Sequence, residues 1–169
     1  PKATAKVFLW QGRMLQSQKK YAEAVKAIEG ALKKFPTDKL RPELLFDFAN
    51  NNLGLEKFPE AGKAFDDLRQ AAPNFKEMAV LLHLNAVCKH NTKDFANSLK
   101  LCGEFLAAHG KHERAADVTF LQCENQFFLN DHAKAITSFK AFAAANKAHP
   151  RVNLARMRVG QSEYELKQW

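Results

Sequence analysis

Tyr21-Ala22-Glu23-Ala24, Phe58-Pro59-Glu60-Ala61, Phe95-Ala96-Asn97-Ser98 and His132-Ala133-Lys134-Ala135 each stand 37 residues from the next. The same step joins Ile28, Phe65, Cys102 and Phe139, and again Ala31, Leu68, Phe105 and Phe142. Upstream, Gly12, Ala49, Ala86, Cys123 and Gly160 form a column of small residues, and Phe8, Leu45, Leu82 and Thr119 a looser one. Columns that hold one register over a whole chain mark a repeat architecture, in which no unit can bury its apolar face alone.

Within a unit the period is helical: Ala24, Ile28, Ala31 and Phe35 recur at steps of four and three, the apolar stripe of an amphipathic helix. Breakers fall between helices, at Phe35-Pro36-Thr37-Asp38, Ala72-Pro73-Asn74 and His109-Gly110-Lys111, with polar elbows at Ser17-Gln18-Lys19-Lys20 and Asn91-Thr92-Lys93-Asp94. The pattern predicts helices at about 3–17, 21–34, 42–55, 59–71, 76–90, 94–108, 112–129, 132–147 and 150–167. The chain is read as one domain of four helix pairs, at about 5–38, 42–75, 79–111 and 116–149, with a capping helix over 150–167. It begins at Pro1 rather than Met and is read as a piece of a larger protein.

These residues resemble the tetratricopeptide repeat (TPR), whose signature is a large residue, a Leu-Gly-like pair and a Tyr, then Ala-x3-Phe and a Pro. Phe8, Gly12, Tyr21, Ala24-x3-Ile28 and Pro36 match it, as do Leu45, Phe58, Ala61-x3-Phe65 and Pro73. The third unit keeps Asn85-Ala86 and Ser98-x3-Cys102, and the fourth Ala135-x3-Phe139. The resemblance implies an all-α, right-handed superhelical solenoid with a concave groove and a role in protein binding. The 37-residue step is similar to that of repeat proteins of the bacterial cell envelope, which sets envelope against cytoplasm as the expected compartment.

Composition narrows the classes. Hydrophobic residues make up 46% and charged residues 26% of the 169, ordinary for a globular chain. No apolar run approaches the 18 or so residues of a membrane span. Three cysteines without a CxxC exclude a disulfide framework and a zinc knot, though unpaired thiols lean toward a reducing compartment. The net charge of +8 is concentrated in residues 1–37, where eight basic side chains face two acidic ones. That favours a solvated surface, with nucleic-acid or anionic-surface binding as an alternative. Phe8, Trp10, Tyr21 and Phe35 are the only aromatics there, and the repeat uses Phe8 and Tyr21.

No phosphate loop, GxSxG elbow or HExxH run is present, so no enzyme activity, cofactor or metal is expected. His83 and His90 lie seven apart, about 10.5 Å along a helix, too far for shared ligation. With Phe48 and Ala49 facing inward, Phe46, Asn50 and Leu53 would face a groove. The repeat step adds Leu9, Arg13 and Gln16; His83, Val87 and His90; Phe120, Glu124 and Phe127; and Met157, Gln161 and Tyr164. A partner's peptide or helix would bury apolar side chains on Phe46, Val87, Phe120, Phe127 and Met157, oriented by Asn50, His83 and Glu124. Alternatively, Phe120, Phe127 and Phe128 pack against neighbouring helices, and the open ends of the solenoid make a homo-oligomer. The Lys/Arg-Asn set of the family's dicarboxylate clamp is incomplete, and its asparagine ladder is replaced by Trp10, Asp47, Leu84, Leu121 and Arg158.

Overall fold

The computed structural model describes residues 4–167. They form α1 (Ala5–Ser17), α2 (Tyr21–Lys34), α3 (Arg41–Gly54), α4 (Phe58–Ala71), α5 (Met78–Asn91), α6 (Phe95–His109), α7 (Ala115–Phe128), α8 (His132–Ala145) and α9 (Val152–Glu165). Each bound falls within three residues of the predicted one. The largest shift is the start of α7, where His112 makes a turn instead of a helix. Its ring Nδ1 accepts from the Arg114 N–H at 3.1 Å, and its carbonyl accepts from Ala115 at 2.9 Å.

That turn recurs in register. Asp38 Oδ1 accepts from the Leu40 N–H at 2.8 Å, and His149 Nδ1 from Arg151 at 3.2 Å. The position between them, Phe75, has no acceptor and packs its ring 5.3 Å from that of Phe46. The elbows after the first helices repeat as closely. Lys19, Glu56, Lys93, Asn130 and Lys167, 37 residues apart, all adopt the left-handed conformation, with φ between 54° and 62°. Bonds from Lys20 to Leu15, Lys57 to Asn52, Asp94 to Lys89 and Asp131 to Gln126 close them at 2.8–3.0 Å, the six-residue link of a Schellman motif. Only Asn130 is of a type that favours this region.

The contacts divide the chain after Cys88, within α5. In the first unit, Ala5, Leu9, Ile28, Ala31 and Leu44 join α1, α2 and α3 in one cluster. Leu45, Phe46, Ala49, Ala61, Phe65, Leu68 and Leu81 join α3, α4 and α5 in another. In the second unit, Phe120, Cys123, Ala135, Phe139, Phe142 and Ala155 join α7, α8 and α9. Every residue of the three second-helix columns that start at Ala24, Ile28 and Ala31 is at most 1% exposed.

The small column has a measurable reason. A Cβ on Gly12 would lie 2.7 Å from Cδ1 and Cγ1 of the buried Ile28, whereas one on Gly160, four repeats on, meets nothing within 4 Å. Gly12→Ala should therefore lose about 1–3 kcal/mol to overpacking. Gly160→Ala should gain up to about 1 kcal/mol from helix propensity. Urea denaturation of the two variants measures the difference.

Candidate functional site

The structure divides the expected site residues between two faces. Phe46 is 7% exposed, its ring 6.1 Å from Phe65 on α4 as well as close to Phe75. Phe120, in the second unit, is 3% exposed, 5.8 Å from Phe139 and 5.4 Å from Phe142 on α8. Both rings thus lie inside their own helix pairs instead of lining a groove. The geometry is simple: at 100° per residue, Phe46 and Ala49 are only about 60° apart around the axis, so both face the second helix. Met157, of the same column, is half exposed on α9. His83 and Phe127 are half-buried. Phe127 meets Phe128 and His132 edge-on at 5.4 and 5.5 Å.

Asn50, Val87 and Glu124 belong to a second stripe, one position round the helix. In the first unit it runs through Lys6, Trp10 and Arg13 on α1, Glu43, Asp47 and Asn50 on α3, and Val80, Leu84 and Val87 on α5. In the second it runs through Asp117, Leu121 and Glu124 on α7 and Leu154, Arg158 and Gln161 on α9.

Ion pairs cross from one first helix to the next along this stripe. Arg13 Nε donates to Asp47 Oδ2 at 2.6 Å in the first unit. In the second, Arg158 donates to both oxygens of Glu124, Nε at 2.8 Å and Nη2 at 3.2 Å. The two pairs are three repeat lengths apart with their signs exchanged: Glu124 stands at the repeat position of Arg13, and Arg158 at that of Asp47. Their surroundings differ. Arg13 keeps nearly half of its side chain in solvent. The Arg158 guanidinium is mostly covered and sits 4.5 Å from the centre of the Phe127 ring and 5.3 Å from that of Phe128. Burial raises the Asp47 carboxyl above the usual aspartate range; Arg13 pulls the other way, and the charges of Glu77 and Glu43 add to the rise.

Beside Arg13 the first unit opens a cleft of about 360 Å³, lined by Lys6, Leu9, Trp10, Arg13, Lys39, Leu40, Glu43 and Lys76. It shares Lys39, Glu43 and Lys76 with a hollow of about 470 Å³ that continues over Pro42, Ala72, Pro73, Asn74 and Phe75. In the second unit, Phe139, Lys140, Ala143, Ala144, Lys147, Arg156 and Val159 line a cleft of about 380 Å³ between α8 and α9. The residue pattern alone did not point to the first-unit cleft. Its one sequence signal is Lys39 and Lys76, which are 37 residues apart just ahead of successive first helices.

Cys88, Cys102 and Cys123 are buried and stand in no disulfide, and burial pushes the Cys102 and Cys123 thiols up to about 12, so these two pack as small apolar groups. Among the described residues no three His, Cys, Asp or Glu side chains gather as a metal would require, and no helix is long and apolar enough to cross a membrane. His90 shares a 2.8 Å hydrogen bond through Nδ1 with Oδ1 of Asn125, whose Nδ2 donates to Ser98 at 2.7 Å.

The covered ion pair should be the more costly one to break. Arg158→Ala leaves Glu124 buried without its two charged hydrogen bonds and should lose about 1.5–3 kcal/mol. Arg13→Ala also strands a buried carboxylate, Asp47, but it removes one charged hydrogen bond from a cation nearly half in solvent and should lose less, about 1–2 kcal/mol. Thermal unfolding of both, with the exchanged Glu124→Arg/Arg158→Glu pair recovering part of the loss, measures it.

No protein-family model and no curated protein matches the sequence. Solved structures do match its fold. MamA from Desulfovibrio magneticus RS-1 is 15% identical with a TM-score of 0.78, over 97% of this chain and 86% of that one. A tetratricopeptide repeat protein from Parabacteroides merdae is 13% identical with a TM-score of 0.77, over 97% of this chain and 62% of that one. The TPR-like repeats of a Podosopora anserina kinesin light chain are 12% identical with a TM-score of 0.73, over 96% of this chain and 86% of that one. The chain thus has the fold of the tetratricopeptide-repeat proteins, an all-α solenoid of helix pairs, as the spacing of its columns predicts.

Proposed function

We propose that the chain is a protein-interaction module that holds a peptide or helix of a partner along the outward stripe of its first helices. One observation carries this reading. The inward columns that start at Ala24, Ile28 and Ala31 repeat small and apolar residues, whereas the stripe on the first helices changes chemistry at every step, from Lys6-Trp10-Arg13 to Glu43-Asp47-Asn50 to Val80-Leu84-Val87 in the first unit alone. A scaffold needs only the inward columns; a recognition surface needs differences. Asn50 and Val87 remain the residues of the expected set best placed to contribute, with Trp10 in the first unit and Gln161 in the second on the same stripe, whereas Glu124 is 8% exposed and held by Arg158. Phe46 and Phe120 shape the stripe from behind instead of touching the partner. A library of random twelve-residue peptides displayed on phage tests the idea. Enriched sequences should bind Asn50→Arg or Gln161→Arg at least tenfold more weakly than the parent, with helicity unchanged by circular dichroism. Equal binding by both variants would place recognition elsewhere.

A second reading, end-to-end self-association, draws on α1. Val7 and Met14 are each about half exposed, yet their repeat equivalents Leu44, Leu81, Val118 and Ala155, and Asn51, Cys88, Asn125 and Ser162, are all at most 1% exposed. Such a face favours stacking on another copy. Sedimentation should then show a mass that rises with concentration in the parent and stays monomeric in Val7→Asp. A parent that remains monomeric at high concentration excludes stacking.

A further inference from the structure

The first-unit cleft has a chemistry of its own. Lys6 and Arg13 come from α1, Lys39 from the turn before α3, and Lys76 from the turn before α5, so three separate segments converge on one opening. Arg13 is engaged with Asp47. Lys6 and Lys39 are exposed and hold no ion pair among the described residues, and Lys76 only approaches Glu77, at 3.8 Å. Three ammonium groups with little to neutralise them therefore face the single lining carboxylate of Glu43.

The cations are held, not merely present. The Asp38 side chain and carbonyl accept from the Leu40 and Arg41 N–H groups, closing the turn that carries Lys39. Lys76 follows Phe75, whose buried ring anchors the turn against Phe46. Beside them stands Trp10, 64% exposed, above a floor of Leu9 and Leu40. An indole left largely in water next to cations offers a large, rigid contact area, the residue type that most often dominates binding energy at interfaces.

We propose that this cleft binds an acidic segment of a partner protein, with carboxylates at Lys6, Lys39 and Lys76 and an aromatic or long aliphatic side chain against Trp10. The inference rests on the peptide-binding reading above and narrows it to one ligand chemistry and one place. A nucleic-acid backbone fits less well. It needs an unbroken track of cations, whereas Glu43 lies inside the cleft, Glu77 stands next to Lys76, and both add to the negative field at Asp47. Base stacking would also want several aromatic faces, and Trp10 is the only aromatic residue lining the cleft.

The test uses the whole chain carrying Trp169→Phe, which leaves Trp10 as the only tryptophan. Three probes of similar charge magnitude are titrated: a ten-residue peptide of Glu and Asp around a central Phe-Leu pair, the same peptide with Lys for the acids, and a single-stranded DNA decamer. The expected result is a saturable blue shift of Trp10 emission with the acidic peptide alone. Affinity, followed by anisotropy of a labelled peptide, should fall at least tenfold in Lys39→Glu/Lys76→Glu and in Trp10→Ala, while Lys111→Glu, in the second unit, leaves it unchanged. Tighter binding of DNA than of the acidic peptide overturns the proposal, as does acidic-peptide binding that all three variants share equally. Failure here alongside phage-selected peptides that still depend on Asn50 would overturn the acidic cleft and leave the interaction module standing. Loss of both would remove both.

Discussion

The fold depends on how closely a second helix can approach the first. Gly12 leaves room for the branched carbons of Ile28, and Gly62 sets its backbone where a Cβ would stand 3.2 Å from Cβ of Cys88. With the backbones this near, the Ile28, Phe65, Cys102 and Phe139 column is sealed from solvent, and burial of such side chains is what offsets the entropy of ordering each helix. The elbows serve the same end. A left-handed residue at each of Lys19, Glu56, Lys93 and Asn130 turns the chain within three residues, and the strain of side chains in that region is accepted at all four in one register because the packing over-determines it.

Close packing also decides where function can lie. In the first unit α3 meets α1, α2 and α4, and most of its circumference is covered. On its stripe through Glu43, Asp47 and Asn50, Glu43 and Asn50 are half-buried, and Asp47 between them is buried and taken by the Arg13 ion pair. A helix covered on three sides cannot present a broad recognition face. It can contribute one or two residues to a surface assembled from several helices and the turns between them. The cleft around Trp10 follows that rule, with lining residues drawn from two helices and two turns.

The sequence made the architecture legible because packing repeats. Columns of small and large residues are fixed by distance between backbones, so they persist at 37-residue steps and can be read without knowing which way a helix faces. The facing of α3 was harder. Leu44, Leu45, Phe46, Phe48, Ala49 and Leu53 spread apolar side chains round the helix, so no polar gap marks the outward side, and a groove reading misplaces Phe46 and Phe120, whose rings pack on the second helices, while Met157 of the same column is half exposed. Ala49 held the clue, since a residue three positions from it shares its side. Other features had no local signal. Nothing in Lys, Glu or Lys at 19, 56 and 93 announces a left-handed residue, and the cleft gathers Lys6, Lys39 and Lys76 from segments that only the fold brings together.

The exchanged ion pairs show what kind of constraint acts on the outward stripe. Geometry fixes that the two positions, 34 residues apart on successive first helices, are within reach of each other, at 2.6 Å in one unit and 2.8 Å in the other. It does not fix which of them is the cation. Arg13–Asp47 and Glu124–Arg158 satisfy the same contact with opposite polarity, so the sign presented to solvent near each pair is free to be chosen by something other than stability. In the first unit the free choice places cations at Lys6, Lys39 and Lys76 round an exposed indole. In the second, the guanidinium is turned onto Phe127 and Phe128 and its charge is covered. One backbone plan thus yields an open basic cleft in one unit and a closed aromatic-cation contact in the other, which is the difference a recognition surface requires and a uniform scaffold does not.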